Sequence, residues 1–311
     1  MREAGIRHRR SFVLTIAVAA GASVLLAVLL APGGSARGAG AKSRILFDRF
    51  VAPPLDYNVM SMKADGSGEK TLTQDPADEW GPSMSPNGKK IVFVAQRDAD
   101  GNNEIATINA DGSNFRQLTN TPAGVYNEYP TYSANGKKII YDSDVDGDQD
   151  VWVMDANGDD QRNVTNNDTA GDCCAAASPM GRKIVFESDR DGDYEIYTTS
   201  QSGRNVHQVT SNDVTDGEPA WFPSGKRLVF ERDYATTDEI VTTNLNGRHL
   251  HRLTRNDVSD DEASVSPNGK KIAWVSALGG DNEIWVMRAD GKRQRQLTFN
   301  DTADEFPHWT P

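Results

Sequence analysis

The sequence predicts an all-β protein, a six-bladed β-propeller built from four-stranded antiparallel blades. Three repeated signals lead to this fold class. Leu-Thr or Val-Thr recurs at a period of about 45 residues, a turn pair such as Asp111-Gly112 precedes each copy, and a block that reads SPNGKKI at 85–91 returns in later repeats. The six copies of the dipeptide start at Leu72, Leu118, Val164, Val209, Leu253 and Leu297. Four short strands repeated at this period are typical of propeller blades.

Each repeat is interpreted as four short strands joined by tight turns. Asn-Gly and Asp-Gly pairs between alternating apolar residues favour hairpins, because both turn positions must tolerate positive φ. In one complete repeat the predicted strands are Pro82–Ser85, Ile91–Ala95, Glu104–Asn109 and Phe115–Thr119.

The two ends of the repeat region complete each other. Residues 43–50 match a second strand with no first strand before it, and residues 305–311 match a first strand with no second strand after it. Joined, they make one blade, so that 43–311 supplies six blades. The C-terminal strand is expected to join the N-terminal blade and close the ring, which removes exposed sheet edges.

The N-terminus is predicted to direct the chain out of the cytoplasm. Residues 1–31 combine an arginine-rich head with the uncharged run Phe12–Ala31, and 32–42 form a flexible spacer that offers a cleavage site. A cleaved signal peptide and an uncleaved membrane anchor both fit this pattern. Export through the general or the twin-arginine route stays open. The remainder is expected to be secreted, periplasmic or tethered to the membrane by this segment alone.

Charge and cysteine content exclude some functions. The net charge is −12, and without the five Arg and one Glu of 1–41 the remainder holds 28 basic and 44 acidic residues. This balance disfavours nucleic acid as a partner, because phosphate neutralisation needs a basic face. The adjacent Cys173 and Cys174 are the sole cysteines, and a bridge between neighbours is strained. They are interpreted as buried thiols in a monomer that packing, rather than disulfides, holds together.

Three sequence blocks carry a family resemblance. EYPTYSANGKKIIY, SPMGRKIVFESDRDGDYEIY and DNEIWVMRADGKRQRQLT resemble the repeats of TolB-like six-bladed propellers, and the resemblance covers 43–311. It implies the fold more strongly than the function, since such propellers serve as adaptor surfaces, as companion domains of peptidases and as lyases. The resemblance does not extend to the extra N-terminal domain of TolB itself, so the particular partners of TolB are not expected to carry over.

Acidic residues lie at or just before each predicted first strand. In related propellers this strand lines the central channel, so six carboxylates are expected to surround one channel mouth, unevenly because their register drifts by up to two residues. A ring of this kind favours a cation or a basic peptide segment. The alternative is that each acid caps a loop or pairs with a nearby lysine. The six residues are Glu79, Glu128, Asp172, Glu218, Glu262 and Glu305.

One hairpin loop has the composition of a calcium site. Alternating carboxylates around Gly147 supply the oxygen ligands that Ca²⁺ prefers, and the four candidate ligands are Asp142, Asp144, Asp146 and Asp150. An EF-hand is excluded, because strands flank the loop and Val153 occupies its twelfth position. The alternative is a solvated acidic turn. Poorer versions of the loop occur at 98–101 and 189–193.

No catalytic motif is present, which favours a binding function over an enzyme. His308 beside Glu305 is the one candidate base, although a packing role is expected. The candidate aromatic contacts are Trp80, Tyr129, Trp221 and Trp309, although a core role is favoured for them as well. The function predicted is an exported protein-binding or scaffold module of the cell envelope that needs no cofactor beyond the calcium considered above. The alternatives are an extracytoplasmic carbohydrate-active lyase or hydrolase that uses the channel mouth, and a regulatory propeller for a separate catalytic chain.

Overall fold

The computed structural model describes residues 43–52, 56–97 and 101–311. The predicted signal or anchor (1–31) and the spacer (32–42) lie outside these residues. Within the described ranges every regular element is a β-strand, which confirms the all-β prediction. No helix there is long and apolar enough to cross a membrane.

Twenty-four strands form six four-stranded antiparallel sheets within the described residues. Blade 1 contains β1 (Arg44–Val51), β2 (Asp56–Lys63) and β3 (Lys70–Thr71). Blade 2 contains β4 (Glu79–Met84), β5 (Lys90–Ala95), β6 (Glu104–Asn109) and β7 (Arg116–Gln117). Blade 3 contains β8 (Asn127–Tyr132), β9 (Lys138–Ser143), β10 (Asp150–Asp155) and β11 (Arg162–Asn163). Blade 4 contains β12 (Asp172–Ala177), β13 (Lys183–Ser188), β14 (Glu195–Ser200) and β15 (His207–Gln208). Blade 5 contains β16 (Asp216–Trp221), β17 (Arg227–Asp233), β18 (Asp238–Asn244) and β19 (His251–Arg252). Blade 6 contains β20 (Asp260–Val265), β21 (Lys271–Ser276), β22 (Glu283–Arg288) and β23 (Arg295–Gln296), and β24 (Asp304–Trp309) completes blade 1.

The ring closes as predicted, through pairing of β24 with β1. Ile45 lies opposite Trp309 and Arg49 opposite Asp304 in an antiparallel register. Beyond the strands, the Arg44 N–H donates to the Thr310 hydroxyl at 2.7 Å, and the Thr310 N–H donates to the Arg44 carbonyl at 2.9 Å. Every first strand therefore has a partner, and blade 1 has the same four-stranded order as the other five.

The hydrophobic core lies between neighbouring blades. The second-strand aromatic residues Phe93, Phe186 and Phe230 are fully buried. Between blades 1 and 2, for example, Leu46 and Val59 pack with Phe93. Each blade thus contributes one face to each of two clusters, and the fold is held by packing, as the low cysteine content predicts.

The repeated Leu-Thr dipeptide attaches the outer strand to the third strand. Its apolar residue is buried between blades, as at Leu72 and Leu297, and its Thr hydroxyl accepts a third-strand N–H, as in Ile105 N–H to Thr119 at 2.8 Å. Because this contact replaces strand pairing, the outer strand in blade 2 is only Arg116–Gln117 rather than the predicted Phe115–Thr119. The first strand, in contrast, begins three residues before the predicted Pro82, at Glu79.

Candidate functional site

A β-bulge in each first strand directs one side chain toward the central channel. In blade 5, Gly217 pairs with Glu231 and Ala220 with Val229, so that Glu218 and Pro219 lie opposite a single second-strand residue. A bulge of this kind changes the direction of the side chains around it. The third residue of every first strand has a positive φ; these channel positions are Phe306, Gly81, Tyr129, Cys174, Glu218 and Glu262 in blades 1 to 6.

The channel positions form the floor of a funnel of about 490 Å³. Prolines of four first strands contribute to its wall, together with small residues such as Thr131 and Ala220. No lysine or arginine is found among the described residues that line it. The funnel is concave and largely apolar, with its carboxylates concentrated at the floor, which suits a polypeptide segment that carries a polar or cationic tip.

One half of the floor is aromatic. Tyr129 and Phe306 line the funnel, and Trp80 packs against both of them, with ring centroids of the three 5.3 to 5.9 Å apart. Because these residues belong to blades 2, 3 and 1, the cluster narrows the channel on one side. Trp80 and Tyr129 were candidate binding aromatics, whereas Phe306 was not identified from the sequence.

The other half of the floor carries Cys174, Glu218 and Glu262 in blades 4, 5 and 6. Carboxylates also anchor the bulges, because the N–H of a channel position donates to an acid of the preceding blade. The Cys174 N–H donates to Asp142 at 2.5 Å, and the Phe306 N–H donates to Glu262. The Glu218 N–H donates to Glu187 at 2.6 Å, and the Gly81 N–H donates to Asp48 at 3.3 Å.

Burial and mutual repulsion raise the pKa values of the channel carboxylates. The pKa of Glu262 is well above its usual range because of burial and its neighbours Glu218 and Glu305. The pKa of Glu218 is raised by burial and by Asp261, and that of Asp48 by burial and by Glu305. A concentration of acids around one axis attracts protons and cations.

We expect the protein to be more stable at pH 6.5 than at pH 8. A carboxyl group whose pKa is higher in the folded state stabilises the fold when protonated, and this contribution is lost as the pH rises through the folded-state pKa. Glu195 and Glu283, at the starts of β14 and β22, have pKa values raised to about 7, mainly by burial, and burial also raises the pKa of Glu262 well above its usual range. Thermal unfolding in chelator-treated buffer should therefore show a Tm lower by roughly 5 °C at pH 8.

Glu262→Gln is the matched variant for this prediction. Its amide oxygen can still accept the Phe306 N–H, but the side chain no longer titrates, so the dependence of Tm on pH should become shallower. Burial lowers the pKa of His308 to about 4, so its side chain is neutral in the folded state between pH 6.5 and 8. Only below about pH 6.5, where the imidazole of the unfolded chain binds a proton, does this residue make the fold less stable as the pH falls. Equal Tm values at pH 6.5 and 8 would contradict the prediction.

The six acids predicted to surround a channel mouth occupy three different positions of the first strand. Glu79 and Asp172 are at its start, fully buried, and each is paired with an arginine of its own blade, Arg97 and Arg190. Glu128 and Glu305 are second residues, and Glu218 and Glu262 are the channel positions. The Glu305 carboxylate accepts a hydrogen bond from Asn282 at 2.6 Å.

The channel thus brings Glu218, Glu262 and Glu305 into electrostatic contact, while arginines neutralise Glu79 and Asp172. It also contains second-strand acids that the sequence analysis did not select, Asp48, Asp142 (as a channel residue) and Glu231. The signal that could have found them is a carboxylate within an apolar strand, as in RILFDRF at 44–50.

The predicted calcium ligands divide between two places. Asp146 and Asp150 approach each other together with Asp148, with one oxygen of each within 4.8 Å of the others. Asp144 instead accepts the Tyr126 N–H at 2.7 Å, and Asp142 lies in the channel. Calcium binding stays a prediction, and its local ligands would be the three neighbouring aspartates. Of the poorer loops, Asp98 and Asp100 lie outside the described residues.

The remaining candidates are mostly structural. Trp221 and Trp309 are buried in the clusters between blades, and the Trp221 indole N–H donates to the Ala176 carbonyl at 3.1 Å. His308 lines the funnel. Burial lowers the pKa of this imidazole to about 4, which agrees with the packing role expected for it.

Comparison with known proteins gives matches over much of the chain. The family described as TolB beta propeller domain matches residues 123–311. A 52-residue segment is 44% identical to the Tol-Pal system protein TolB of Rhizorhabdus wittichii, and covers 17% of this chain and 12% of that relative. The structure of TolB from Acinetobacter baumannii superimposes with a TM-score of 0.76 at 21% identity, over 88% of this chain and 68% of that one. Hydrazine synthase of Kuenenia stuttgartiensis gives a TM-score of 0.72 at 14% identity, over 88% and 47% of the two chains. Matches at these low identities show the fold alone.

Proposed function

Because this chain belongs to the TolB beta propeller family, we propose that it is a protein-binding module of the cell envelope whose funnel receives an extended, basic segment of a partner protein. The chain spans only a small part of the curated relative that it matches, 12% of that protein's length. That relative is named as a component of the Tol-Pal system. A partner that is an envelope protein outside the cytoplasm agrees with the match to this relative and with the signal peptide or membrane anchor predicted at residues 1–31.

The observation that carries the proposal is the pair of acidic side chains at the funnel floor. Glu218 and Glu262 line the funnel, and none of the other described lining residues is a lysine or an arginine. Burial of a carboxylate without a cation is costly and raises the pKa of both groups, so a lysine or arginine brought by a partner would favour their ionised form and pair with it. On the aromatic half of the floor, Tyr129 and Phe306 offer a face against which an alkyl or guanidinium group can pack.

A segment in extended conformation suits the shape of the site. Each first strand is the inner edge of its blade and pairs within the sheet only with the second strand, so its other side faces the funnel. Side chains that enter the funnel would supply the recognition, with the apolar wall providing contact area and the carboxylates providing specificity for positive charge.

Opposite charges placed at one funnel residue test the proposal. Thr131 lines the funnel and is half-buried. A displayed random-peptide library selected on the full chain should yield peptides rich in lysine or arginine. Their affinity, measured by fluorescence anisotropy, should fall at least about tenfold with Thr131→Arg and be maintained with Thr131→Glu, because like charges in a confined site repel strongly.

The same variants connect the peptide result to the cell envelope. An envelope protein that contains the selected sequence should be captured by the wild-type chain and by Thr131→Glu, and not by Thr131→Arg. Selection of peptides without positive charge, or equal affinity for the two variants, would contradict the proposal. Turnover of an envelope glycan by the wild-type chain would instead favour the carbohydrate-active alternative.

A further inference from the structure

Two thiols and a carboxylate lie together in the wall of the channel. Cys173 and Cys174 are consecutive residues of β12, and Asp142 is on β9 of the neighbouring blade. One ligand atom of each lies within 4.8 Å of the other two, and the two sulfur atoms are 3.4 Å apart. The bulge makes this arrangement possible, because a φ of 57° at Cys174 brings two side chains that would point to opposite faces of a regular strand to the same side.

The Asp142 carboxylate is not satisfied by its surroundings. It is 1% exposed; Oδ2 accepts the Cys174 N–H, while Oδ1 is enclosed and has no hydrogen-bond partner within the described residues. Its charged neighbours, Glu128 and Glu187, are both acidic. Leaving a buried carboxylate oxygen without a donor or a cation costs more than a neutral polar group would.

The cysteines share this electronegative environment. The Cys173 thiol donates to Glu187 at 3.1 Å, and both cysteines are free. Cys174 lines the funnel, so an ion that enters the funnel can reach the sulfur atoms directly.

We propose that Cys173, Cys174 and Asp142 bind one thiophilic divalent metal ion of the Zn²⁺ class. Zinc binds thiolate sulfur at about 2.3 Å and carboxylate oxygen at about 2.0 Å in tetrahedral geometry, which places two sulfur ligands about 3.8 Å apart. The observed separation of 3.4 Å needs only a small adjustment. Asp142 Oδ1 supplies the third ligand, and the fourth position faces the funnel, where water or a group from a bound partner completes the coordination.

Binding of the metal ion at this site needs no further reactant. Two S–H protons leave to the solvent as two metal–sulfur bonds form, and no oxidant or reductant takes part. Sulfur ligands select zinc-class ions over Ca²⁺ and Mg²⁺, which prefer oxygen. This site is therefore distinct in metal preference from the neighbouring aspartate loop at Asp146, Asp148 and Asp150.

Titration of the full chain with Zn²⁺ and Cd²⁺ tests the site, with a phosphine reductant present to keep the thiols reduced. We expect one ion per chain by calorimetry and, with Cd²⁺, a sulfur-to-metal charge-transfer band in the ultraviolet. Cys173→Ser and Cys174→Ser should each weaken the band and weaken Zn²⁺ binding by more than about 100-fold, which exceeds the effect typical of losing a supporting hydrogen bond, and the double variant should abolish the band. Asp142→Asn should weaken binding and keep the band.

The matched control is Asp148→Asn, which removes a carboxylate of the adjacent loop and should leave both the band and the Zn²⁺ affinity unchanged. Serine is close to cysteine in size, and Tm values of the variants establish that they are folded. A wild-type chain that gives no charge-transfer band, or a serine variant that binds Zn²⁺ as tightly as the wild type, would overturn the proposal.

Discussion

Arg49→Met should lower the free energy of unfolding by about 3–5 kcal/mol, the range typical of breaking a buried ion pair. Arg49 on β1 binds Asp304 on β24 with two parallel hydrogen bonds of 2.6 and 2.8 Å, and Asp304 is fully buried. Removing the guanidinium leaves this carboxylate buried without a cation. The pair also connects the two strands that close the ring, so its loss should open blade 1 first. Urea unfolding followed by circular dichroism measures the effect.

An exposed ion pair provides the control for this prediction. Arg288 and Asp290 are 3.1 Å apart, but their side chains are 54% and 43% exposed, and pairs of this kind contribute only about 0–1 kcal/mol. Arg288→Met should therefore change stability little. Replacing both partners at the closing strands, Arg49→Met with Asp304→Asn, should recover part of the loss, since no charge is then left buried. A loss below about 1 kcal/mol for Arg49→Met would contradict the buried-charge explanation.

Trp309→Ala should also destabilise the protein by about 3–5 kcal/mol, as expected for a large aromatic residue removed from a packed core. Trp309 is 5% exposed and packs with Ile45, Phe47, Val275 and Ile284, between blades 1 and 6. Its indole N–H has no hydrogen-bond partner within the described residues, so that the loss reflects packing alone. Phe299→Ala is the control, because Phe299 is 75% exposed and should cost less than about 0.5 kcal/mol. Similar losses for the two variants would show that Trp309 does not hold the ring closed.

The repeats made the blade architecture predictable from the sequence, because the same turn and apolar residues recur in every unit. The prediction assigned too long an outer strand, since Thr119 reads as a strand residue by composition but uses its hydroxyl to accept the Ile105 N–H. Local patterns specify where strands turn, whereas contacts between a side chain and a neighbouring strand appear only in three dimensions.

The candidate site was less predictable, and the reason is the bulge. In a regular strand, side chains alternate between two faces, so Glu79 at the first position and Glu218 at the third would point the same way. Instead, Glu79 binds an arginine and Glu218 faces the funnel. The bulge residue is a glycine in blade 2 alone, at Gly81, so five of the six bulges have no residue type that marks them. Second-strand acids such as Asp48 were missed for a related reason: their role depends on an N–H group in the next blade.

The bulges lower the stability of the fold in exchange for the side chains that they place in the channel. Five of the six channel positions hold a non-glycine residue with φ between 49° and 57°, a conformation that costs roughly 1–2 kcal/mol per residue. A ring with glycine at all six places would be the more stable one, but its channel would lack the aromatic, thiol and carboxylate groups. The protein therefore gives up folding stability at five of its six channel positions, where the side chain can change while the packing between the blades is left intact.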